Sequence, residues 1–449
     1  MSFLSESEAK AVTQKALSLA SAPETIVSLT PTRAGNTRFS RNEAQTSGSS
    51  ETMNVVIQSF YGLKKGTATT DQFDDRSLLE CVRSAEELAR FAPDNKETMP
   101  VLGPQTYLES RMYSPDVEAI SASWRAKVAA DAILGSKAKS LIAAGFITNQ
   151  SLANVIATSK GLFGYEKESD VAYSLTVRAQ DDTGSGWGGG TGNRMTGFDT
   201  GAMTARAIDL AVRTQKPVAL EPGNYTTILS AECVADLTLT MMFGGFDARN
   251  YDEGRSFLSQ LSKQVEGGEK IFGEKVNIFT DPLHPDCPGN VFDSEGLPIK
   301  KVDWIKDGVV KTMVCGRYWA ENGKKKRAFQ PSPANGIMTG GTTSVDDMVA
   351  NTQRGLIVSR FWYIRPLDPQ TCLFTGLTRD GIFLIENGKI TRPVKNFRWN
   401  ETPVKMLRNI EAMGPSRRVI TSEQDLGSSL YFPPLKVTDF TFASLSDAV

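Results

Sequence analysis

The chain opens on a helical period. Ser5 and Glu8 stand at capping-box spacing, and Val12, Ala16 and Leu19 recur on one face, which predicts a helix ending near Ser21-Ala22-Pro23. The period then drops to two. ETIVSLTP, TRFSRNEAQTS, ETMNVVIQSFYG and KKGTATT read as strands, with turns at Gly35-Asn36, across Ser47 to Ser50 and around Gly62. DDRSLLECVRSAEELARFA returns to helical spacing through Leu78, Leu79, Val82, Ala85, Leu88 and Ala89, and stops before Pro93. Residues 94–118 contain prolines and little periodicity, as a connection would, and DVEAISASWRAKVAADAILGSKAKS reads as one strong helix.

The same order then recurs. LIAAGFITNQSLANVIATS, GLFGYEKESDVAYSLTVRAQ and GSGWGGGTGN predict strands around Gly-rich turns, and FDTGAMTARAIDLAVRTQ predicts a helix. Phe73-Asp74 leads to Ala85, Leu88 and Ala89 as Phe198-Asp199 leads to Ala207, Leu210 and Ala211, with offsets that differ by about one helical turn. We read this as a duplicated strand-strand-helix unit. The Gly cluster at 184–192 lacks both the Lys-Ser/Thr of a phosphate-binding loop and the strand-turn-helix setting of a dinucleotide fingerprint. It reads as a flexible hairpin end, with a mobile loop over a groove as the functional alternative.

From Pro217 the texture shifts. KPVALEP predicts a strand, LSAECVADL (229–237) a short amphipathic helix and EGRSFLSQLSKQV a second helix. Asp307-Gly308, Asp380-Gly381 and Asn387-Gly388 are hairpin signals between apolar runs, and SVDDMVANTQRG and ETPVKMLRNIEAMG are two further helices. The expectation is an α+β protein in three parts: an N-terminal unit over 1–118, a repeat-like unit over 119–216, and a strand-rich domain over 217–449.

Charge alters this picture little. Fifty Lys and Arg stand against 51 Asp and Glu, so nucleic-acid binding has no electrostatic support. Lys324-Lys325-Lys326-Arg327 reads as a solvated hairpin tip rather than a phosphate site. Five scattered cysteines without a CxxC pair suit reduced thiols in a cytosol. The N-terminus has no secretory pattern, and no apolar run is long enough to span a bilayer. Histidine changes the picture most, because there is one, His284. It lies near Cys287 in a Pro-rich loop, and two ligands do not close a metal site. A structural loop residue is the expected role.

Several stretches together carry a family resemblance. They are TRFSRNEAQTS, RSFLSQLSKQV, FDSEGLPIKKVDWIKDGVV and TGLTRDGIFLIENGKITRPVKNFRWNETPVKMLRNI, and in this order they resemble the TldD/PmbA family, also called modulators of DNA gyrase. The resemblance implies an α+β fold with a duplicated N-terminal region. It implies a TldD branch of zinc metallopeptidases, with a His-Glu-x-x-x-His helix and a C-terminal Cys as ligands, and a PmbA/TldE branch lacking them. It also implies that the two pair as a cytoplasmic heterodimer acting on extended peptides, in proteolysis and peptide maturation.

Laid on AECVAD, that motif puts its first His at Ala231, its Glu at Glu232 and its second His at Asp236, and no cysteine follows Cys372. The resemblance therefore implies no metal or cofactor in this chain and no catalytic residue beyond Glu232 as a remnant of the motif glutamate. Zinc would belong to a TldD-like partner. The residues alone leave Glu232 and Asp236 as a polar helix face, and Cys233 as a poor nucleophile beside Glu232. Trp187, in the Gly-rich stretch, and Arg194 are tempting contacts, but a Trp amid glycines is as often a packing anchor under a loop, and neither is taken as a site. The leading expectation is a metal-free PmbA/TldE-like subunit of a peptidase complex. The alternatives are a homodimeric, non-catalytic peptide- or protein-binding regulator, and an enzyme using the helix carboxylates or a cysteine. No nucleic-acid or membrane partner is expected.

Overall fold

The computed structural model describes residues 4–262, 265–422 and 429–446. The first half is two copies of one unit. The first copy runs α1 (Glu6–Leu19), β1 (Glu24–Ser40), β2 (Glu43–Tyr61), β3 (Lys64–Thr70) and α2 (Asp75–Phe91). After the single turn α3 (Pro115–Glu118), the second runs α4 (Ala122–Lys137), β4 (Leu141–Thr158), β5 (Phe163–Ala179), β6 (Ser185–Gly192) and α5 (Thr200–Arg213). The copies join through antiparallel β1 and β4, giving one six-stranded sheet in the order β3-β2-β1-β4-β5-β6.

The helices cover one face. Val27, Leu29, Ala153 and Val155 pack under α1 and α2, while Phe39, Ile147, Tyr173 and Leu175 pack under α4 and α5. The Ser5–Glu8 capping box forms as expected. The single helix expected from 116 onward is broken. Ser121 caps α4 by accepting from the Trp124 amide, so the chain turns between α3 and α4.

Three turn assignments are corrected. β1 runs straight through Gly35-Asn36, and β2 through Ser47 to Ser50. The hairpin instead turns at Arg41-Asn42, whose φ angles are 52° and 61°. The Asn42 side chain fixes it by donating to Leu141 O and accepting from Ala143 N, both at 2.8 Å. The Gly cluster is also corrected. From Ser185 on it is the buried strand β6, neither a flexible hairpin end nor a mobile loop. A Cβ at Gly186 or Gly188 would overlap the carbonyl oxygens of Ala207 or Met203 on α5, so these glycines let a helix lie directly on a strand. Gly66 on β3 meets α2 at Ala85 in the same way, which makes the duplication visible in packing.

The second half continues with β7 (Gly223–Leu229), α6 (Ala231–Gly245), α7 (Ala248–Asp252), α8 (Phe257–Leu261), β8 (Ile278–Thr280), β9 (Val302–Lys306), β10 (Val309–Val310) and α9 (Arg317–Asn322). Then come β11 (Gly336–Met338), α10 (Val345–Ala350), β12 (Arg354–Asp368), β13 (Leu373–Glu386), β14 (Lys389–Pro393), β15 (Phe397–Glu401), α11 (Pro403–Arg408), β16 (Ile410–Met413), β17 (Arg417–Arg418), β18 (Leu430–Phe432) and β19 (Leu435–Leu445). β12, β7, β19, β15 and β13 close on themselves, because β12 pairs with both β7 and β13. Phe361, Trp399, Phe440 and Phe442 pack together inside that ring of strands, in stacked, tilted and edge-on pairs. A second sheet has the order β10-β9-β8-β11-β18-β17.

Here too the structure departs from expectation. KPVALEP makes only the bridge Val218 to Val394, because the strand starts later, at Gly223. The helix expected over 253–265 is α8 alone, with residues 263–264 outside the described set. Asp307-Gly308 and Asn387-Gly388 turn hairpins, but Asp380-Gly381 is a bulge within β13, where two residues face Ser359. The bulge aims the Asp380 carboxylate at Arg360 (3.0 Å) and at the Ser185 hydroxyl. Lys324 to Arg327 form no hairpin tip. They follow α9, and Arg327 is drawn in by Asp252 and Glu266. Among the described residues, no helix is long and apolar enough to cross a membrane.

Candidate functional site

The site is built on α6. Ser230 caps it by accepting from the Cys233 amide, and its own hydroxyl donates to Ser359 O on β12 at 2.9 Å. Every residue from Ala231 to Thr238 is buried. The polar helix face expected for Glu232 and Asp236 is therefore corrected. The helix runs through the middle of the domain, packed against β12, β18 and α11, and both carboxylates are inside.

Glu232 is held by two cations. Arg417 Nη2 on β17 donates to both carboxylate oxygens, at 2.7 and 2.8 Å, and Arg206 Nη1 on α5 lies 3.8 Å away. Burial alone would raise its pKa, but Arg417 and then Arg206 prevail and hold it down at about 2. One carboxylate thus ties α6 to β17 and to the N-terminal half. A base that weak, with both oxygens occupied, takes no proton near neutral pH.

Asp236, one turn along, is the opposite case. It is buried, and its Oδ1 accepts from the Ser422 amide at 2.9 Å, while Oδ2 has no hydrogen-bond partner among the described residues. Burial pushes its pKa up to about 7, against the opposing effects of Ser422 and Arg360. A raised acid pKa has a definite sign. The neutral form's contribution to stability is complete below the ordinary 3.8 and is lost as pH rises through 7. Asp236→Asn is therefore expected to raise stability by up to about 4 kcal/mol at pH 8, with the gain shrinking to almost nothing near pH 4. Thermal melts of both proteins across this range check it, and a gain independent of pH would refute the assignment.

Cys233 is buried, and burial raises its thiol well above the usual range, so it is no nucleophile. His284 packs its ring on Tyr431, 5.0 Å between centroids, and accepts from the Asp286 amide. Cys287 is buried, and its pKa is pushed up to about 12. Trp187 is a packing residue. Its Nε1 donates to Ser174 Oγ, and Arg360 lies 4.6 Å over its ring. Arg194 pairs with Asp286.

Sequence reasoning missed Arg206, Arg417 and Arg360, because nothing along the chain links them to α6. It also missed Glu166, Glu168 and Asp170. Their period-two spacing on β5 was a legible signal for one shared strand face. Burial lifts Glu166 to about 7 and Asp170 to about 6.

The family's zinc can be tested on these atoms. Ala231 offers no donor, Glu232 is saturated by guanidinium, and Cys233 points its sulfur at Val358 O. Ala231 and Asp236 also lie about 140° apart around a regular helix. Among the described residues no group of three or more His, Cys, Asp or Glu side chains could hold a metal ion. This donor set does not fit zinc.

Models of the PmbA/TldA metallopeptidases match in three consecutive blocks: domain 1 over residues 32–89, the central domain over 115–215 and the C-terminal domain over 222–444. A metalloprotease of Methanothermobacter thermautotrophicus is 24% identical over 294 residues, covering 60% of this chain and 61% of that relative. Metalloprotease PmbA of Escherichia coli O157:H7 is 24% identical over 433 residues, covering 92% of this chain and 91% of its own length. The crystal structure of TldE from Thermococcus kodakarensis superposes with a TM-score of 0.80 at 16% identity, covering 97% of this chain and 99% of that one. With the family's domains matched in order, and its fold shared from end to end, the chain belongs to the PmbA/TldD metallopeptidase family.

Proposed function

We propose that this chain is the metal-free, PmbA/TldE-like subunit of a cytosolic TldD/TldE-type peptidase complex that processes extended peptides. A TldD-like partner would supply the zinc. One observation carries the reading: Arg417 and Arg206 neutralise Glu232 where the family's motif places its glutamate. A glutamate acting as general base needs a free oxygen and a pKa nearer neutrality. Here the carboxylate serves as a structural tie instead.

What this chain would contribute is binding surface. The outer side of β2 pairs with β3 only over Val55–Tyr61, so among the described residues 43–54 form an open, polar strand edge. An extended peptide can add to such an edge through backbone hydrogen bonds with little regard to sequence. Five buried free thiols suit a reducing compartment.

The test is reconstitution with a paralogue that carries His-Glu-x-x-x-His. The expected outcome is a mixed complex, with cleavage of an unfolded peptide appearing only when both chains are present. Chelator-sensitive cleavage by this chain alone would sink the proposal. A stable homodimer indifferent to the paralogue would favour the regulator reading.

A further inference from the structure

A cavity of about 1020 Å³ lies beside the C-terminal half of α6. Met241, Phe246, Phe257, Trp304, Ile364 and Phe374 make its walls apolar. Ser332, Pro333, Pro366 and Pro369, also on its walls, are exposed and mark its mouth. The buried end is different. Asp236, Thr421 and Ser422 line it, and Asp236 Oδ2, Thr421 Oγ1 and Ser422 Oγ are all buried without a hydrogen-bond partner among the described residues. The Ser422 amide that binds Asp236 Oδ1 brings residue 421 alongside the carboxylate.

Buried polar atoms in native proteins are nearly always paired, and an unpaired carboxylate oxygen in an apolar site is costly. The surrounding charges do not relieve this one. Arg360 donates to Asp380 and to the Ser422 carbonyl, Arg417 and Arg206 are engaged by Glu232, and Arg255 pairs with Glu253. Asp247 caps α7 through the Asn250 amide. The neighbouring Cys233 is a neutral thiol. Among the described residues, this end of the cavity offers the carboxylate only the neutral hydroxyls of Thr421 and Ser422 and no uncommitted cation, and a cationic donor matches a carboxylate best.

We propose that this cavity binds a primary ammonium carried on an apolar body. The ammonium donates to Asp236 Oδ2 and Thr421 Oγ1, and the apolar part fills the Met-, Phe- and Trp-lined volume. The size and lining are those of a ligand pocket: a large apolar volume with a few convergent polar groups. Both a peptide N-terminus and a lysine-type side chain present this chemistry. The inference concerns this chain alone and stands whether or not a complex forms. Binding ionises Asp236, so below pH 7 it releases a proton, and affinity rises as pH approaches neutrality.

Calorimetric titration of the full chain tests it with three probes: Phe-Leu-amide for a peptide N-terminus, phenylbutylamine for an alkylammonium, and N-acetyl-Phe-Leu-amide as the neutral control. At least one amine is expected to bind, and whichever binds names the source. The acetylated control should not. Asp236→Asn should weaken the amine about tenfold or more, and Thr421→Val several-fold, in proteins whose melts show intact folding. Ser332→Trp, an exposed change at the mouth, should weaken it without touching the polar end. The proposal fails if no amine binds at millimolar concentration, if the acetylated probe binds equally well, or if Asp236→Asn leaves affinity unchanged.

Discussion

Arg417→Met is expected to cost about 2 kcal/mol, less than for a pair buried on both sides because the Arg417 side chain is itself 44% exposed. The substitution keeps an aliphatic stem but removes the group that donates to both oxygens of Glu232. Arg206, at 3.8 Å and without a hydrogen bond to the carboxylate, cannot replace it. A buried anion left short of its partner costs more than the pair ever contributed, because its desolvation is no longer offset. The rescue separates charge from packing. Adding Glu232→Gln to the Arg417→Met protein should restore most of the lost denaturation midpoint, since the uncompensated charge is gone. If Arg417→Met is silent, or if the double variant is worse than the single, the tie is not electrostatic. Acid should act on the wild type in the same direction. Glu232 has a depressed pKa, so its contribution is present above the ordinary 4.5 and is lost as pH falls towards 2.

Gly186→Val should be more damaging, for a different reason. A Cβ at this strand position would overlap the Ala207 carbonyl on α5, which is backbone and cannot rotate away. The helix must lift from β6, opening the layer where Ala207 and Ala211 pack on Tyr173 and Leu175. Loss of several kcal/mol, about 3 or more, follows from overpacking of this kind. Gly66→Val should behave likewise, because Gly66 meets α2 as Gly186 meets α5. Gly48→Ala is the control. It sits on the open stretch of β2, where an added Cβ would meet nothing within 4 Å among the described residues, and should change little. Melting temperatures of the three proteins decide it. If Gly186→Val melts with the control, the close helix-on-strand contact is not what holds α5.

How far the chain announces its own structure can be followed residue by residue. Ser5 and Glu8 cap α1 through contacts three residues apart, so their pattern was readable. Asn387-Gly388 turns a hairpin for the same local reason. Gly35 misled, because its missing side chain serves a neighbour. A Cβ there would overlap the Arg125 guanidinium of α4, 90 residues along the chain, and no turn is made. Asp380-Gly381 misled similarly, since its backbone angles serve the Arg360 and Ser185 contacts rather than a reversal. Glu232 was singled out from the motif resemblance, but its surroundings were not legible. Its partners lie 26 and 185 residues away in sequence.

What the sequence determined by itself was whatever depends on neighbours within a few residues. The capped helices, the period-two strands, the doubled unit and the lack of imidazole or thiol at Ala231 and Asp236 all belong there. The tertiary structure alone decided the electrostatic fate of α6. Burial and charge pairing act through space, so two carboxylates one turn apart end with opposite protonation behaviour, Glu232 near 2 beside its arginines and Asp236 near 7 beside an apolar cavity.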